Sequence, residues 1–457
     1  MFDVFRNSRF SLYLVGGSVR DSLLGLEPGD TDYATDGQPG DVIDFLTEKG
    51  VKVIPTGIPF GTVTAIHPVT HEKAEITTFR SSEVYRRGSR NPMVQFGSTI
   101  EEDLRRRDFT INAMAMDPDG GLIDPFGGRK ALEDRLIDTP GDPFSSFSDD
   151  PLRILRAYRF AAKLGFRIAE RVRRAARDLS GELTSVSAER QYKELTGLLA
   201  AFDGTGVSAS LHMMKQDGVL MKVVPEVENL FVIDGLRQGK HHCLDAWHHT
   251  LKVVSEVPPV ADLRWAALLH DAGKGLVRTT DPEGEPHFYG HETRGETLAG
   301  SVADRLRFSR AQKRAVTLLV RNHMRPVLYS SKWSNSAVRR LMRDAGDQLE
   351  NLLLLGEADI RAHDPEYAEE GMARINELRA RIASQDTGRI IPEEMGHRLS
   401  ALGFEGPVIG RILSMLEDMA ADGILPADPT VDQCFSALWD HQLTEADSIS
   451  ESDSDPD

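Results

Sequence analysis

Two aspartates one residue apart follow a Gly-Gly turn and a short helical pattern early in the chain. The stretch LVGGSVRDSLLGLEPGDTDYATD spans residues 14–36 and contains Asp30 and Asp32. If GDTDYAT is extended, both carboxylates project to the same side of a strand. Carboxylates at that spacing repel each other unless a cation lies between them, and hard oxygen ligands favour Mg²⁺. Glu75 in KAEITTF lies on another predicted strand and could complete this catalytic site.

The Gly-Gly turn predicts an anion-binding site beside these carboxylates. Gly16 and Gly17 precede the predicted helix, so unpaired N–H groups and the positive helix end face a bound anion. Arg20, one turn into the helix, adds a positive charge. Such a site suits a nucleoside triphosphate and its magnesium, and indicates two-metal phosphoryl transfer. The alternative is an ordinary turn with a solvent-facing D-x-D loop, because each short motif alone matches by chance.

Two residue pairs further along have the chemistry to bind sugar and base. In RRDFTINAM, Asp108 and Asn112 are four apart, are predicted to share a helix face, and can both hydrogen-bond sugar hydroxyls. A structural helix capped by Asp108 is the alternative. Asp150 and Arg153, three apart, combine an acceptor with a donor.

The Asp150–Arg153 pair predicts selection of C and A without a nucleic-acid template. Cytosine and adenine each present an amino donor beside a ring-nitrogen acceptor, which matches an accepting Asp next to a donating Arg. Uracil and guanine present the reverse order, so buried groups would stay unpaired at a cost of a few kcal/mol. A helix-surface salt bridge between the two residues is the alternative.

Histidines and aspartates between residues 240 and 365 form a second candidate site, this time for a transition metal. Imidazoles with carboxylates suit Ni²⁺, Mn²⁺ or Fe²⁺, or Mg²⁺ where carboxylate and water dominate. Four residues are predicted to enclose one ion and two a second ion, with metal-activated water attacking a phosphoester and Lys274 close enough to bind phosphate. The first four are His249, His270, Asp271 and Asp359, and the other two are His291 and His323.

Five motifs together resemble the class II tRNA nucleotidyltransferases, which are the CCA-adding enzymes, and the related bacterial poly(A) polymerases. The first is LVGGSVRDSLLG…DTDYATD. The others, in the family's order, are DLRRRDFTINAMAMD (103–117), IDPFGGRKALEDRLI (123–137), DDPLRILRAYRFAAKLGF (149–166) and ERQYKEL (189–195). The resemblance runs from about residue 12 to about residue 430. The chain departs from the fourth motif at Asp149, where the family usually has Glu.

This resemblance implies a function and assigns roles to residues. It implies that Asp108 reads the ribose 2′-OH, and that Arg107, Arg156 and Arg159 join the nucleotide site. The order H…HD…H…H…D in the middle of the chain resembles the HD phosphohydrolase domain, which in some CCA-adding enzymes removes 2′,3′-cyclic or terminal phosphates from RNA. A degenerate HD fold kept for architecture is the alternative.

The predicted function is therefore addition of C, C and A to the 3′ end of tRNA from CTP and ATP. The rivals are a poly(A) polymerase, a partial CC- or A-adding enzyme, and an HD phosphohydrolase whose nucleotidyltransferase head has lost its activity. A non-catalytic RNA-binding protein is a further rival. The acidic C-terminus disfavours poly(A) synthesis, since a basic extension would serve generic RNA better.

The elements that must position these residues change along the chain. The first 125 residues alternate between strand-like and helical patterns, with strands predicted at SLYLVGG, DTDYAT, KVIP, GTVTAIH and AEITTF. After Pro125 the chain is almost wholly helical, with short loops such as TPGDPFSSFSDD. Two loops stand out along the whole chain, 81–97, with Arg86, Arg87 and Arg90, and 279–290. An α+β fold results, with a small mixed sheet in the head. The predicted units are a catalytic head (1–130), a helical neck and body (131–235), an HD domain (236–365), a helical region (366–440) and a disordered acidic tail (441–457).

Composition and charge indicate the partners and the cellular compartment of the protein. A net charge of −17 argues against nucleic acid at first sight, but the last fifteen residues hold six acids and no Lys or Arg. Residues 153–177 carry nine basic side chains against one acid, which favours a surface facing a polyanion. The sequence has only two cysteines, no long apolar run and no secretion signal. We therefore expect a cytoplasmic protein without membrane contact, as a monomer or homodimer.

Overall fold

The computed structural model describes residues 1–457 apart from 28, 30, 56, 85–92, 232–243, 386–390, 427 and 441–457. Asp30, the three arginines predicted for the first loop and the acidic tail therefore lie outside the described residues.

The head is built on a mixed sheet of seven strands among the described residues, in the order β3-β4-β5-β2-β1-β8-β9. β2 and β5 run parallel, and the other neighbours are antiparallel. The strands of this sheet are β1 (Leu12–Val15), β2 (Thr31–Thr35), β3 (Lys52–Ile54), β4 (Thr62–Ile66), β5 (Lys73–Thr78), β8 (Ala115–Met116) and β9 (Leu122–Ile123). The five predicted strands are confirmed, because each carries the alternating apolar pattern that buries one face of a sheet.

Shorter strand pairs lie outside this sheet. The predicted loop 81–97 begins and ends as an antiparallel pair, β6 (Arg80–Val84) with β7 (Met93–Phe96). The other short strands are β10 (Leu136–Ile137), β11 (Arg167–Ile168), β12 (Thr279–Thr280) and β13 (Pro286–His287). β10 and β11 pair in parallel, whereas β12 and β13 form an antiparallel pair inside the predicted loop 279–290.

Among the described residues after Pro125, helices predominate, as the sequence predicts, with only the short strands β10 to β13 between them. The head contributes α1 (Phe2–Phe5), α2 (Gly17–Leu23), α3 (Pro39–Glu48), α4 (Ile100–Arg105) and α5 (Gly128–Glu133). The neck and body contribute α6 (Pro143–Asp149), α7 (Leu152–Leu164), α8 (Glu170–Leu179), α9 (Ala188–Leu199), α10 (Gly204–Gln216), α11 (Leu220–Val223) and α12 (Glu228–Phe231).

The remaining helices form the middle and end of the chain. They are α13 (Ala246–Glu256), α14 (Ala261–Leu269), α15 (Lys274–Val277), α16 (His291–Arg305), α17 (Arg310–Asn322), α18 (Met324–Val327), α19 (Asn335–Ala345), α20 (Leu349–Arg361), α21 (Pro365–Ser384), α22 (Glu394–Ala401) and α23 (Gly406–Ala421). Short 3-10 turns occupy Ile58–Phe60, Thr110–Asn112, Ser180–Ser185, Pro225–Val227 and Gly346–Gln348. Among the described residues, no helix has the length and apolar character needed to cross a bilayer.

One continuous apolar core runs from the head into the helical body and the histidine-rich middle. It includes Val19 of α2, Phe160 of α7, Trp265 of α14 and Leu355 of α20. Residues after 390 bury a separate cluster around Met395 and Leu416. The α+β class with a small mixed sheet and helical body is confirmed, and the continuous core fixes the two candidate sites relative to each other.

Candidate functional site

Asp32 and Glu75 lie side by side on one face of the head sheet. They are register partners in the parallel pair β2–β5, and residues paired in register project to the same face. Asp32 is half-buried and Glu75 is exposed. The Asp32 N–H donates to Ser18 Oγ at 3.4 Å, which joins β2 to α2. The two oxygen donors fit a hard divalent cation, while the paired-aspartate site stays a prediction because Asp30 lies outside the described residues.

The Gly-Gly turn brings bare backbone against an arginine. Gly16 has φ +71° and ψ −130°, a conformation that glycine adopts without strain. A Cβ there would lie 2.7 Å from Nη1 of Arg107, so the guanidinium packs directly over the turn. Gly17 begins α2. The predicted anion-binding turn therefore carries the positive charge of Arg107.

Asp103, which the sequence reasoning missed, holds Arg107 in that position. Its buried carboxylate accepts Nε and Nη2 of Arg107 on Oδ2 at 3.2 and 2.8 Å. The same two groups of Arg106 donate to Oδ1 at 3.1 and 2.7 Å. Burial alone would raise the pKa of Asp103, but the two arginines lower it to about 2. An acid three and four residues before two arginines on a helix was the available signal.

Arg20 is buried and already bonded within the protein. Its Nε donates to Asp21 Oδ1 at 2.8 Å, and its Nη1 donates to Asn112 Oδ1 at 2.7 Å. Its guanidinium carbon lies 5.1 Å from the ring centroid of Phe160. Arg20 therefore ties α2 to the chain around Asn112 and to α7, and its role as an anion ligand stays a prediction.

The predicted helix across RRDFTINAM is wrong, although Asp108 and Asn112 do meet. Phe109 is extended (φ −133°, ψ 152°) and buried, so only the 3-10 turn Thr110–Asn112 follows it. Asn112 Nδ2 donates to Asp108 Oδ1 at 2.9 Å, and Arg156 Nε donates to Asp108 Oδ2 at 2.8 Å. Burial would raise the pKa of Asp108, but Arg156 and Asn112 hold it at about 2. Asp108 is thus an ionised acceptor at neutral pH.

Arg156 and Arg159 extend this network to α9. Glu194 on α9 pairs with Arg159 and lies 3.6 Å from Arg156. Although burial opposes it, the Asp108 and Glu194 carboxylates raise the pKa of Arg156 above its ordinary value. Arg190, also on α9, forms an ion pair with Asp150 Oδ2, 2.9 Å from its Nη2.

Arg153 of the predicted base-reading pair lines a crevice between head and neck. Asp150 lies between α6 and α7 rather than on a helix, with an extended backbone (φ −143°, ψ 96°). Arg153 donates to Ser146 Oγ at 2.8 Å and to the Arg106 carbonyl oxygen at 2.6 Å. The crevice encloses about 270 Å³ and is lined by Arg105, Arg106, Arg107, Asp149 and Arg153, among others. With Asp142 also in the lining, four arginines face two acids, and the net positive charge makes the crevice attractive to a polyanion.

The basic run 153–177 does not form one outward face, so that prediction is wrong for its paired members. Buried Asp217 accepts from Arg173 at 2.8 Å, Arg177 at 2.9 Å and the Tyr158 hydroxyl at 2.7 Å. An acid forty residues or more away in sequence thus neutralises part of the run. The exposed members, which remain candidates for a polyanion-facing surface, are Lys163, Arg167, Arg171 and Arg174, of which Arg171 also pairs with Asp138 at 2.7 Å.

The six predicted metal-binding residues of the middle region converge at the centre of the helices. Two buried groups of three have ligand atoms within 4.8 Å of one another, His249–His270–Asp359 and Asp271–His291–His323. The carboxylate of Asp271 lies between them. Its Oδ2 is 3.2 Å from His270 Nε2, and its Oδ1 is 3.4 Å from His291 Nε2.

Backbone contacts fix which nitrogen of three histidines faces the centre. The Nδ1 atoms of His270, His291 and His323 each lie 2.8 Å from the carbonyl oxygen three residues earlier. A ring that donates Nδ1–H in this way presents a lone pair on Nε2, which is the form that binds a metal. The donor set therefore fits a divalent transition metal.

Electrostatics favour the neutral form of His291 and His323, whereas the Asp271 and Asp359 carboxylates outweigh burial and raise the pKa of His270. Burial, with repulsion from His270 and His291, lowers the pKa of His323 to about 3. Burial also lowers the pKa of His291. The pKa of Asp359 falls well below its ordinary range, because the contact with His249 outweighs burial. At neutral pH His291 and His323 are neutral and Asp359 is ionised, as metal ligation requires.

A cavity of about 740 Å³ opens onto this centre. Its walls include Asp271 and His291 from the centre, with Arg321 and Arg325 at the side. Exposed Tyr289 also lines it. His363, which the sequence reasoning did not single out, lines the cavity as well, with Nδ1 3.8 Å from Asp359 Oδ1. The size and mixed lining suit a nucleotide-sized phosphoester.

Comparisons with known proteins agree with this architecture. Residues 12–138 match the family described as Poly A polymerase head domain, and residues 240–363 match the HD domain family. Residues 165–231 match the probable RNA and SrmB-binding site of polymerase A.

Similarity extends over nearly the whole chain. The multifunctional CCA protein of Methylococcus capsulatus is 33% identical over 88% of this chain and 92% of its own length. The Bacillus stearothermophilus CCA-adding enzyme, solved with CTP, shares the fold at 24% identity with a TM-score of 0.70, covering 98% of this chain and 97% of that one. The Thermotoga maritima enzyme complexed with tRNA has 22% identity and a TM-score of 0.58, covering 96% and 93%. This chain belongs to the CCA-adding tRNA nucleotidyltransferase family, in the form that carries an HD domain.

Proposed function

We propose that this protein adds C, C and A to the 3′ end of tRNA from CTP and ATP, without a nucleic-acid template. The similarity to a multifunctional CCA protein over 88% of the chain carries this proposal. The geometry supports it, since a carboxylate face, an arginine-covered glycine turn and the Asp150–Arg153 pair belong to one head and neck.

In this reaction the 3′-hydroxyl of tRNA attacks the α-phosphate, and pyrophosphate leaves. Magnesium held by Asp30, Asp32 and Glu75 would supply the positive charge that activates the hydroxyl and neutralises the leaving group. Arg107 binds the triphosphate over Gly16. Asp108 contacts the ribose, and Asp150 and Arg153 contact the base.

The other predictions become part of the same proposal. The exposed basic residues at 163, 167, 171 and 174 contact the acceptor stem of the tRNA. The functional domains span residues 1–130, 131–235, 236–365 and 366–440. The cytoplasm is the proposed location, because the chain carries only two cysteines.

Single-nucleotide incorporation tests the proposal. Purified protein is incubated with tRNA transcripts that end before CCA, after C and after CC, each with one labelled nucleoside triphosphate, and the products are sequenced. We expect C on the first two substrates and A on the third. Uncontrolled A-runs would indicate a poly(A) polymerase, and arrest after CC would indicate a partial enzyme. Full activity in Asp30→Ala would remove the proposed magnesium site.

We further propose metal-dependent phosphoester hydrolysis at the HD site as a second function. The buried pair of ligand groups, opening on a cavity with cationic side chains, favours it. A metal bound there would supply an activated water. Lys274 lies 2.7 Å from Asp271 Oδ2 and lines the cavity, and Arg321 and Arg325 line it too, so all three can contact a phosphate.

The HD proposal is tested separately from CCA addition. Protein loaded in turn with Ni²⁺, Mn²⁺, Fe²⁺ or Mg²⁺ is assayed on 2′,3′-cyclic nucleotides and on RNA with a terminal phosphate. We expect hydrolysis with at least one metal and none in Asp271→Asn. No hydrolysis with any bound metal would leave the HD fold as architecture.

A further inference from the structure

Tyr289 is an exposed aromatic side chain at the mouth of the HD cavity. It is 79% exposed and lines the cavity of about 740 Å³. Its ring stacks on that of His287, with 5.3 Å between the ring centroids and 10° between the ring planes. A single exposed aromatic residue is ordinary on a protein surface. This one, however, is backed by a parallel ring while most of its own surface stays open beside a candidate metal centre.

The ring that backs Tyr289 is itself fixed. His287 lies on β13, which pairs with β12, and its Nε2 is 3.1 Å from Asp281 Oδ2. Asp281 Oδ1 accepts the N–H groups of Glu283 and Glu285 at 3.1 and 2.8 Å, which closes the turn between the two strands. Tyr289 is therefore held in place before a ligand arrives, and this lowers the entropic cost of stacking a ligand on it.

A short turn links Tyr289 to the metal centre. His291 follows two residues later, so the two Cα atoms are at most about 7 Å apart. The Phe288 carbonyl oxygen lies 2.8 Å from His291 Nδ1 and accepts the His291 N–H at 3.2 Å. Gly290, between them, has a left-handed φ of +77°. The open ring and a candidate metal ligand are thus joined by one fixed turn and border the same cavity.

The remaining cavity wall combines cationic and aromatic side chains. Its lining includes the cations Lys274, Arg321 and Arg325 and the aromatic residues Trp333 and Tyr367. A phosphate attached to a nucleoside would use both kinds of side chain, whereas a phosphoester without a base would leave the aromatic surface in water. Aromatic side chains stack on any nucleobase, because every base has a flat π face.

We propose that Tyr289 is a nucleobase-stacking residue of the HD site, so that this site selects phosphoesters attached to a nucleoside, whatever the base, over phosphoesters without one. This inference rests on the proposed phosphoester hydrolysis at the HD site. The nucleoside belongs either to a free nucleotide or to the end of an RNA chain, since both present the same base and phosphate.

The test uses uridine compounds, because the proposed head and neck select C and A and reject uracil. Calorimetry on protein with and without added metal gives the Kd of uridine 3′-monophosphate. Kinetics with metal-loaded protein give KM for uridine 2′,3′-cyclic phosphate, in which water adds to phosphorus, one bond from phosphorus to a ribose oxygen breaks, and that oxygen takes the proton. Tyr289→Ala is expected to raise Kd and KM about tenfold, for the loss of one stacked base.

Substrate and variant controls separate stacking from damage to the site. With 1-O-methylribose 2′,3′-cyclic phosphate, which has no base, Tyr289→Ala is expected to keep its kcat/KM. Tyr289→Phe keeps the ring and should keep the wild-type Kd, whereas Tyr289→Leu keeps apolar bulk without the flat face and should behave like Tyr289→Ala. Phe202→Ala is the matched control, because Phe202 is 90% exposed and lies outside the cavity lining.

A short RNA ending in a 2′,3′-cyclic phosphate distinguishes the two sources of the base. A loss in Tyr289→Ala confined to the RNA or to the free nucleotide identifies that one as the ligand. Unchanged Kd and KM in Tyr289→Ala, or an equal loss on the base-free compound, would overturn the inference. Binding of uridine 3′-monophosphate that depends on Tyr289, without hydrolysis of any cyclic phosphate under any metal, would instead overturn the proposed hydrolysis and keep the stacking role.

Discussion

Replacing Asp103 by Asn tests whether one buried carboxylate sets up the triphosphate end of the site. The carboxylate is 1% exposed and holds both Arg106 and Arg107. Its pKa falls from the ordinary 3.8 to about 2, which corresponds to ~2.5 kcal/mol in favour of the ionised form in the folded state. Asp103→Asn loses this term, so we expect the head to be destabilised by about 2–3 kcal/mol, roughly a 5–10 °C fall in its melting temperature.

The same contacts predict a kinetic effect with a specific form. Without Asp103, Arg107 is no longer held over Gly16, so a fixed charge at the triphosphate is lost. KM for CTP and ATP should rise by a similar factor, about tenfold for one charged hydrogen bond. The C-over-U ratio should change less than KM, because Arg153 contacts the backbone carbonyl oxygen of Arg106 and not the guanidinium that Asp103 holds.

The pH dependence of this stabilisation has a definite sign. The folded pKa of Asp103 lies below its unfolded value, so the stabilisation is complete above the unfolded pKa of 3.8 and is lost as the pH falls towards 2. Between pH 6 and 8 the difference in melting temperature between wild type and variant should therefore be constant.

Thermal unfolding and steady-state kinetics of Asp103→Asn, with Asp134→Asn as control, provide the measurement. Asp134 pairs with Lys130 at 2.7 Å on the surface, with side chains 47% and 70% exposed, and surface pairs of this kind contribute under about 1 kcal/mol. Wild-type melting temperature and wild-type KM in Asp103→Asn would refute the reasoning. So would a loss equal to that of the control.

Three further changes test other parts of the molecule. Asp32→Asn should reduce nucleotide addition by at least about a thousandfold while HD-site metal content stays the same, and near-normal addition would contradict a role beside Glu75. Asp271→Asn removes the carboxylate that lies between the two ligand groups. It should lower the amount of metal bound per chain, measured by elemental analysis, and leave CCA addition intact. Unchanged metal content would argue against the proposed HD metal centre. Asp217→Asn should lower the free energy of unfolding by about 3–5 kcal/mol in denaturant titrations, because it removes the buried negative charge that two arginines and the Tyr158 hydroxyl contact. An unchanged midpoint of denaturant unfolding would contradict this.

Local patterns were enough to predict the frame of the molecule. The strands of the head were visible because each buries one face and therefore alternates in hydrophobicity. The register that pairs Asp32 with Glu75 follows from those strands once β2 and β5 are neighbours. The six candidate metal ligands could be picked out from the sequence because unusual residue types occur in a fixed order, and the structure brings all six together.

Partners chosen by tertiary contact could not be predicted in the same way. Helical spacing shows which face a basic side chain occupies, but not that Asp217 will be folded against Arg173 and Arg177. The same limit hid the bond between Arg20 and Asn112 and the contact between Arg190 and Asp150. In each case the acceptor lies on an element distant in sequence.

The most direct measurement of the central claim is the sequence added to a tRNA transcript that lacks its 3′ CCA when CTP, ATP, UTP and GTP are all supplied in excess. The account predicts that deep sequencing of the products shows C, C, A and then a stop, with U and G at background. Products that end in runs of A, that contain U or G at levels close to C and A, or that show no addition at all would contradict it.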